Sequence, residues 1–202
     1  MQIVVISPES ADSREIPAME AFFAAGLERY HVRKPAWSRE ALEAWLEHIP
    51  VGWRPRIFLH QHHPLMAKLG LGGIHDSDGE AIPGLLGSSR SCHHIEAIRL
   101  LMPLYPMLFF GPVFPSLSKS GYGPAADFPW DDLRAILRKR APADARVVAI
   151  GGVTAPGLAR CGELGFDGAA VLGAVWNERD PVAAYAGIRE AAARLEAASN
   201  AA

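Results

Sequence analysis

The chain has little cysteine, no long apolar run and no surplus of charge of either sign. Cys92 and Cys161 are the only cysteines among 202 residues. They stand far apart in sequence, so no disulfide framework is expected and a reducing, cytoplasmic setting fits. The opening run MQIVVIS is too short for a secretory h-region or a membrane span, and no membrane association is expected. Lys and Arg number 20 against 22 Asp and Glu, for a formal net charge of -2 and a pI near 6.4. That balance excludes a general polyanion surface, hence nucleic acid as a partner, while leaving room for a local anion site. What is present is an apolar half of the sequence with 21% charged residues, enough to bury one full core in one domain.

The apolar residues come in short runs, each followed by a helical pattern. Residues 2–6 (QIVVI) are β-branched and close at Ser7-Pro8, which reads as a buried strand. Ile16, Met19, Phe22, Phe23 and Leu27 then follow at helical spacing. Further strands are predicted over residues 30–33, 56–60, 73–75, 88–92, 107–110, 147–150 and 169–172. The helices between them include one N-capped by Ser38, one ending at Gly70, one through Ile95, Ile98 and Leu101, one begun near Pro129, one capped by Thr154 and one begun at Pro181. Residues 76–86 read as irregular loop, and residues 196–202 as a frayed tail. Eight strands, each with its helix or helical turn, predict a compact single (β/α)8 TIM barrel over residues 1–202. The alternative is an open doubly wound sheet, disfavoured because no G-x-G-x-x-G follows the first strand.

The chain is organised around residues 107–123, MLFFGPVFPSLSKSGYG. The first four are apolar without alternation, as in a parallel strand buried on both faces. The loop behind them offers Ser116, Ser118 and Lys119 together with glycines that let backbone N–H groups turn inward, a combination suited to phosphate. In a barrel all strand C-termini share one mouth. That mouth would gather His31, Arg33 and Lys34 from the second strand, His60 and Gln61 from the third, and His75 from the fourth. Ser91 and His93 come from the fifth, Gly151 and Gly152 from the seventh, and Gly173 from the eighth. Glycine turns after strands seven and eight, facing a Ser-x-Ser-Lys loop from strand six, form a candidate phosphate site.

His31, His60, His75 and His93 would reach the same mouth. Neutral imidazoles there could ligate zinc, with Asp76 as a further ligand, in a metal-dependent hydrolase. His60 and His62 flank Gln61 in a loop that also contains His63, and no H-E-x-x-H spacing anchors that reading, so hydrogen bonding to a ligand or among the rings is preferred. Cys92 lies on a buried strand without an activating partner and reads as inert packing.

These residues resemble a family, thiamine phosphate synthase and its TenI-like paralogues. GPVFPSLSK (residues 111–119) is similar to the family's G-P-V-F-x-T-x-T-K loop, AIGGV (149–153) to its A-I-G-G-I turn and AAVLGA (169–174) to its A-V-V-S-A strand. SCHHIEAI (91–98), HVRK (31–34) and GIH (73–75) resemble S-x-H-S-x-E-E-A, Q-x-R-E-K and G-V-H. The resemblance implies a (β/α)8 barrel that couples hydroxymethylpyrimidine diphosphate to thiazole phosphate and releases pyrophosphate. It implies that Ser116, Leu117, Ser118, Gly151, Gly152, Leu172 and Gly173 hold the thiazole phosphate. Arg33, Lys34, Ser91 and Lys119 would hold the diphosphate, with His31 and His60 where the family has Gln and Asn. The implied partners are the two phosphorylated small molecules, and a homodimer is allowed.

The departures from the family pattern fall on one side of the site. The Asp that helps bind Mg2+ in the family is replaced by Gln61, and a neutral amide is a poor ligand for a hard cation. A second metal carboxylate would fall at Glu80, or at Asp78 if the loop shifts. The family's Lys after Arg-Glu falls on Pro35, beside Lys34. Mg2+ is therefore expected if coupling is the reaction, and no cofactor if the protein is a TenI-like thiazole tautomerase. A tautomerase would need a general acid/base, for which His93, His60 or His31 could serve, although Pro112 stands where a tautomerase of the family carries His. A non-catalytic binder of thiazole or thiamine phosphate is the remaining alternative.

Overall fold

Strands that are apolar on both faces need cover on both sides, and this chain supplies it by closing its sheet on itself. A computed structural model describes residues 1–77, 87–117 and 121–200, the last two without their side chains. Among them β1 (Gln2–Ile6), β2 (Tyr30–Val32), β3 (Ile57–Leu59), β4 (Gly73–Asp76), β5 (Ser89–Cys92), β6 (Met107–Phe110), β7 (Arg146–Ala149) and β8 (Gly168–Val171) follow one another around a closed barrel. Every neighbouring pair is parallel, and β8 returns to β1 with Gln2 against Gly168 and Val5 against Val171. The predicted strands lie within a residue of these limits. The connections are α1 (Glu15–Ala24), α2 (Arg39–Glu47), α3 (Leu65–Leu69), α4 (Ile95–Leu101), α5 (Trp130–Lys139), α6 (Leu158–Leu164), α7 (Gly173–Trp176) and α8 (Pro181–Asn200). Five of these eight helices span nine residues or fewer, which is how an eightfold barrel fits a chain near the lower length limit of the fold.

Local chemistry sets the helix ends. Ser38 Oγ accepts from Ala41 N–H at 3.2 Å and starts α2, while Gly70 and Gly165, both left-handed, stop α3 and α6. Two expectations differ from the structure. Thr154 makes no side-chain cap; a single 3-10 turn, Ala155–Gly157, precedes α6 instead, because Pro156 and Gly157 favour a tight turn. The predicted frayed tail is helical through Asn200, and Glu196 forms an ion pair with the Met1 ammonium.

The larger apolar core lies between barrel and helices, built from the outward faces of the strands, such as Val5, Leu59, Leu108 and Phe110, and from Phe22, Leu42, Leu133 and Leu158 of the helices. Inside the barrel a smaller cluster joins Val4, Ile6, Met107, Phe109, Val148 and Ala170. That inner layer is apolar on β1, β6, β7 and β8. Across from it, β2, β4 and β5 turn His31, His75 and Ser89 inward, all buried. The barrel interior thus has an oily half and an imidazole half, and the candidate site rests on both.

Candidate active site at the mouth of the barrel

A cavity of about 720 Å³ opens over the C-terminal ends of the strands. Its wall on the β6–β8 side is mostly backbone. The loop after β6 is held against the turn after β7 by Val113 N–H donating to Ile150 O at 2.9 Å and Phe114 N–H to Gly151 O at 3.0 Å. This approach leaves no room for side chains: a Cβ on Gly152 would sit 2.1 Å from Pro115 O, and its φ of +65° is left-handed. Ser116 N–H donates to Tyr122 O at 2.7 Å and closes the loop. Leu117 packs on Gly173, the first residue of α7. Ser116, Leu117, Gly151, Gly152, Leu172 and Gly173 all line the cavity.

The opposite wall carries imidazoles. His60 lies just beyond β3 and its Nε2 is 3.1 Å from His31 Nδ1. The His60 and His75 rings stack at 4.2 Å. His75 Nδ1 is 2.8 Å from Ser89 Oγ, and its Nε2 is 2.8 Å from Ser91 Oγ. Burial pushes His31 and His60 well below the usual histidine range, and repulsion from His75 adds to it. Burial likewise brings His75 down to about 3, with His63 and Arg90 adding to the shift. All three rings are neutral at pH 7. His93 donates Nδ1–H to Gly111 O at 2.5 Å, which leaves its Nε2 with the lone pair. His60, His75, Ser91 and His93 line the cavity, whereas His31 lies beneath them, fully buried and stacked on Phe58.

Among the described residues, charge is sparse at this mouth. Arg33 reaches the cavity and is paired with Glu9, which also lines it. The expectation that Lys34 serves a ligand is not met. Its ammonium is fully buried against Glu15 and donates to Pro8 O at 2.7 Å and Ser10 O at 3.0 Å. The neighbour that takes Lys34 away from the mouth is α1, where Glu15 needs a cation after Tyr30 OH has supplied one hydrogen bond at 2.8 Å. Asp76 also faces away, accepting from Gly87 N–H and Tyr105 O–H, each at 2.9 Å, so it does not join the histidines as the zinc reading supposed. Ser118, Lys119 and Glu80 lie outside the described residues. Both cysteines are buried and neither forms a disulfide, with Cys161 pushed up to about 12 by burial. A second groove of about 820 Å³, on the flank between α1 and α2, is lined by Trp37 and Trp45; no strand end reaches it.

No protein-family model matches the sequence, and no curated protein matches it. Solved structures do. A thiamine phosphate pyrophosphorylase from Bacteroides thetaiotaomicron is 27% identical, superimposes with a TM-score of 0.77 and covers 95% of this chain and 98% of its own. The chain belongs to the thiamine phosphate synthase/TenI superfamily. A thiamine phosphate pyrophosphorylase from Pyrococcus furiosus, 17% identical with a TM-score of 0.75 over 94% of both chains, has the same fold. A geranylgeranylglyceryl phosphate synthase from Thermoplasma acidophilum, 12% identical, is a more distant barrel with a TM-score of 0.62 over 94% of this chain and 92% of its own. Gly151, Gly152 and Gly173 line the cavity, and so do Glu9 and Ser77, close behind β1 and β4, and Tyr122 in the long loop after β6, which carried no sequence signal of their own. Among the described residues the lining offers one carboxylate, Glu9, already paired with Arg33. Gln61 is not part of the lining. These residues do not fit Mg2+, which asks for several oxygen ligands.

Proposed function

We propose that the protein is a thiamine-biosynthesis enzyme that joins a pyrimidine diphosphate to a thiazole phosphate in this cavity and releases pyrophosphate. The observation that carries the reading is the division of one cavity into a glycine wall and an opposite wall of neutral imidazoles with Ser91 and Arg33. The turns at Gly152 and Gly173 with Ser116 present backbone and hydroxyl donors suited to a phosphate monoester. Arg33 and Ser91, across the cavity, suit a diphosphate. A volume of about 720 Å³ is in the range that encloses ligands of drug-like size. In the reaction the bond from the pyrimidine methylene to the diphosphate oxygen breaks and its electron pair leaves with pyrophosphate. The thiazole nitrogen donates its lone pair to that methylene, forming the C–N bond. Arg33 would stabilise the charge developing on the leaving group, and the neutral imidazole side leaves the cationic methylene free of like-charge repulsion. The test is incubation of the purified chain with both substrates, with and without Mg2+, reading thiamine phosphate and pyrophosphate together. Formation of both in equal amounts is expected, and their absence beside an active control would end the coupling reading.

A second reading, thiazole tautomerisation, has one specific observation in its favour. His93 lines the cavity with its Nδ1–H fixed on Gly111 O, the arrangement of an oriented base. Conversion of a carboxythiazole phosphate without pyrimidine, abolished in His93→Gln, would place the protein there.

A further inference from the structure

We propose that His31, His60 and His75 form a three-histidine site for a borderline divalent transition metal such as Zn2+ or Co2+, on the floor of the cavity. The site uses three consecutive strands. His31 is in β2, level with Phe58 of β3; His60 is two residues further, and its predecessor Leu59 is level with Ile74, so His60 stands level with His75. Alternation along parallel strands turns all three rings into the barrel. One ring nitrogen from each lies within 4.8 Å of the other two.

The distances suit a metal as well as a hydrogen bond. Metal–nitrogen bonds of about 2.0–2.1 Å to two corners of a tetrahedron set the nitrogens about 3.3 Å apart; His31 Nδ1 and His60 Nε2 are 3.1 Å apart. His75 has its outer support in place: with the buried Ser89 Oγ accepting from Nδ1–H, Nε2 carries the lone pair, the arrangement that orients metal-bound histidine, and a metal there would displace the Ser91 hydroxyl now 2.8 Å from Nε2.

The donor set decides which cation. Three imidazoles without a carboxylate suit zinc-like ions and not Mg2+, and burial keeps the rings in the neutral form that binds metal. His60 and His75 line the cavity, so a metal with three protein ligands would keep its fourth position open to it, as catalytic zinc sites do. That position takes water or an oxygen of the ligand. Only the identity of that ligand rests on the synthase reading.

The test uses the full chain, stripped with chelator and titrated with Co2+ in the absence of either substrate. One Co2+ per chain is expected, with the visible absorption of a four- or five-coordinate ion, displaced by Zn2+ and unaffected by excess Mg2+. The unfolding midpoint should rise with metal concentration. His60→Ala, at the cavity surface, should lose more than the about 10–100-fold in affinity that removal of an outer-shell partner gives, with its circular dichroism unchanged. His62→Ala/His63→Ala should keep the site. A folded wild-type chain that takes up no Co2+ would overturn the proposal. So would uptake that survives His60→Ala and disappears in the His62/His63 variant. Because no substrate is present, failure of the coupling assay leaves this result untouched, and the reverse holds.

Discussion

Lys34→Met separates a structural lysine from a ligand-binding one. The side chains of Lys34 and Glu15 are 0% and 1% exposed, and burial raises the Glu15 carboxyl above its usual range while the ammonium draws it part of the way back. Lys34 Nζ also lies 5.1 Å from the Trp37 ring and 5.5 Å from Trp45, so Met fills a space already lined by apolar rings. Without the ammonium, Glu15 keeps only Tyr30 OH as a donor, and breaking a buried pair this way costs about 3–5 kcal/mol. A domain has about 5–15 kcal/mol in all, so the variant should be folded but weak. At about 2–4 °C per kcal/mol for a chain of this size, the unfolding midpoint should fall by about 6–20 °C. The assay is thermal and urea unfolding of wild type, Lys34→Met, and Lys34→Met/Glu15→Gln. The double variant removes both charges and should regain most of the loss. A single variant within about 1 kcal/mol of wild type, the size of an exposed pair, would refute the reasoning. So would undiminished stability combined with lost phosphate affinity, which would return Lys34 to the mouth.

Two further outcomes follow from the cavity walls. Gly152→Ala places a methyl 2.1 Å from Pro115 O at a left-handed φ; it should lower stability by about 1–3 kcal/mol and abolish phosphate binding in calorimetry, because the β6 loop must move away from the β7 turn. Glu9→Gln frees Arg33 from an exposed ion pair worth about 1 kcal/mol at most, so pyrophosphate should bind up to about fivefold more tightly, an effect that titration calorimetry at low and high salt resolves.

The barrel was legible because its strands are buried on both faces: QIVVI, RIFL and MLFF are apolar runs too short for helices. β5 was the hardest, since SRSC turns Ser89 and Ser91 inward to meet His75 and so lacks the apolar signature. The glycine wall was legible from its turn chemistry and its place after strands seven and eight. Lys34 was misread because its partner, Glu15, lies on another element, and spacing in sequence carries no sign of that contact. The histidines were gathered at one mouth, with hydrogen bonding preferred to zinc ligation, but which rings touch was not legible: the stacking of His60 on His75 above the buried His31 depends on strand register, which no local pattern shows, and His93 turns instead to Gly111 O.

The pairing of β1 with β8 has a consequence for how the protein is made. Gln2 finds its partner in Gly168, nearly the whole chain away, and the Met1 ammonium finds Glu196. During synthesis the first strand therefore leaves the ribosome with one edge that nothing can yet cover, and it stays open until the last strand arrives. Closing so long a loop is entropically costly and long-range parallel pairing is slow. A chain cut before β8 would keep the loop after β6 and its histidines in sequence and still lack the seam that holds them in a ring.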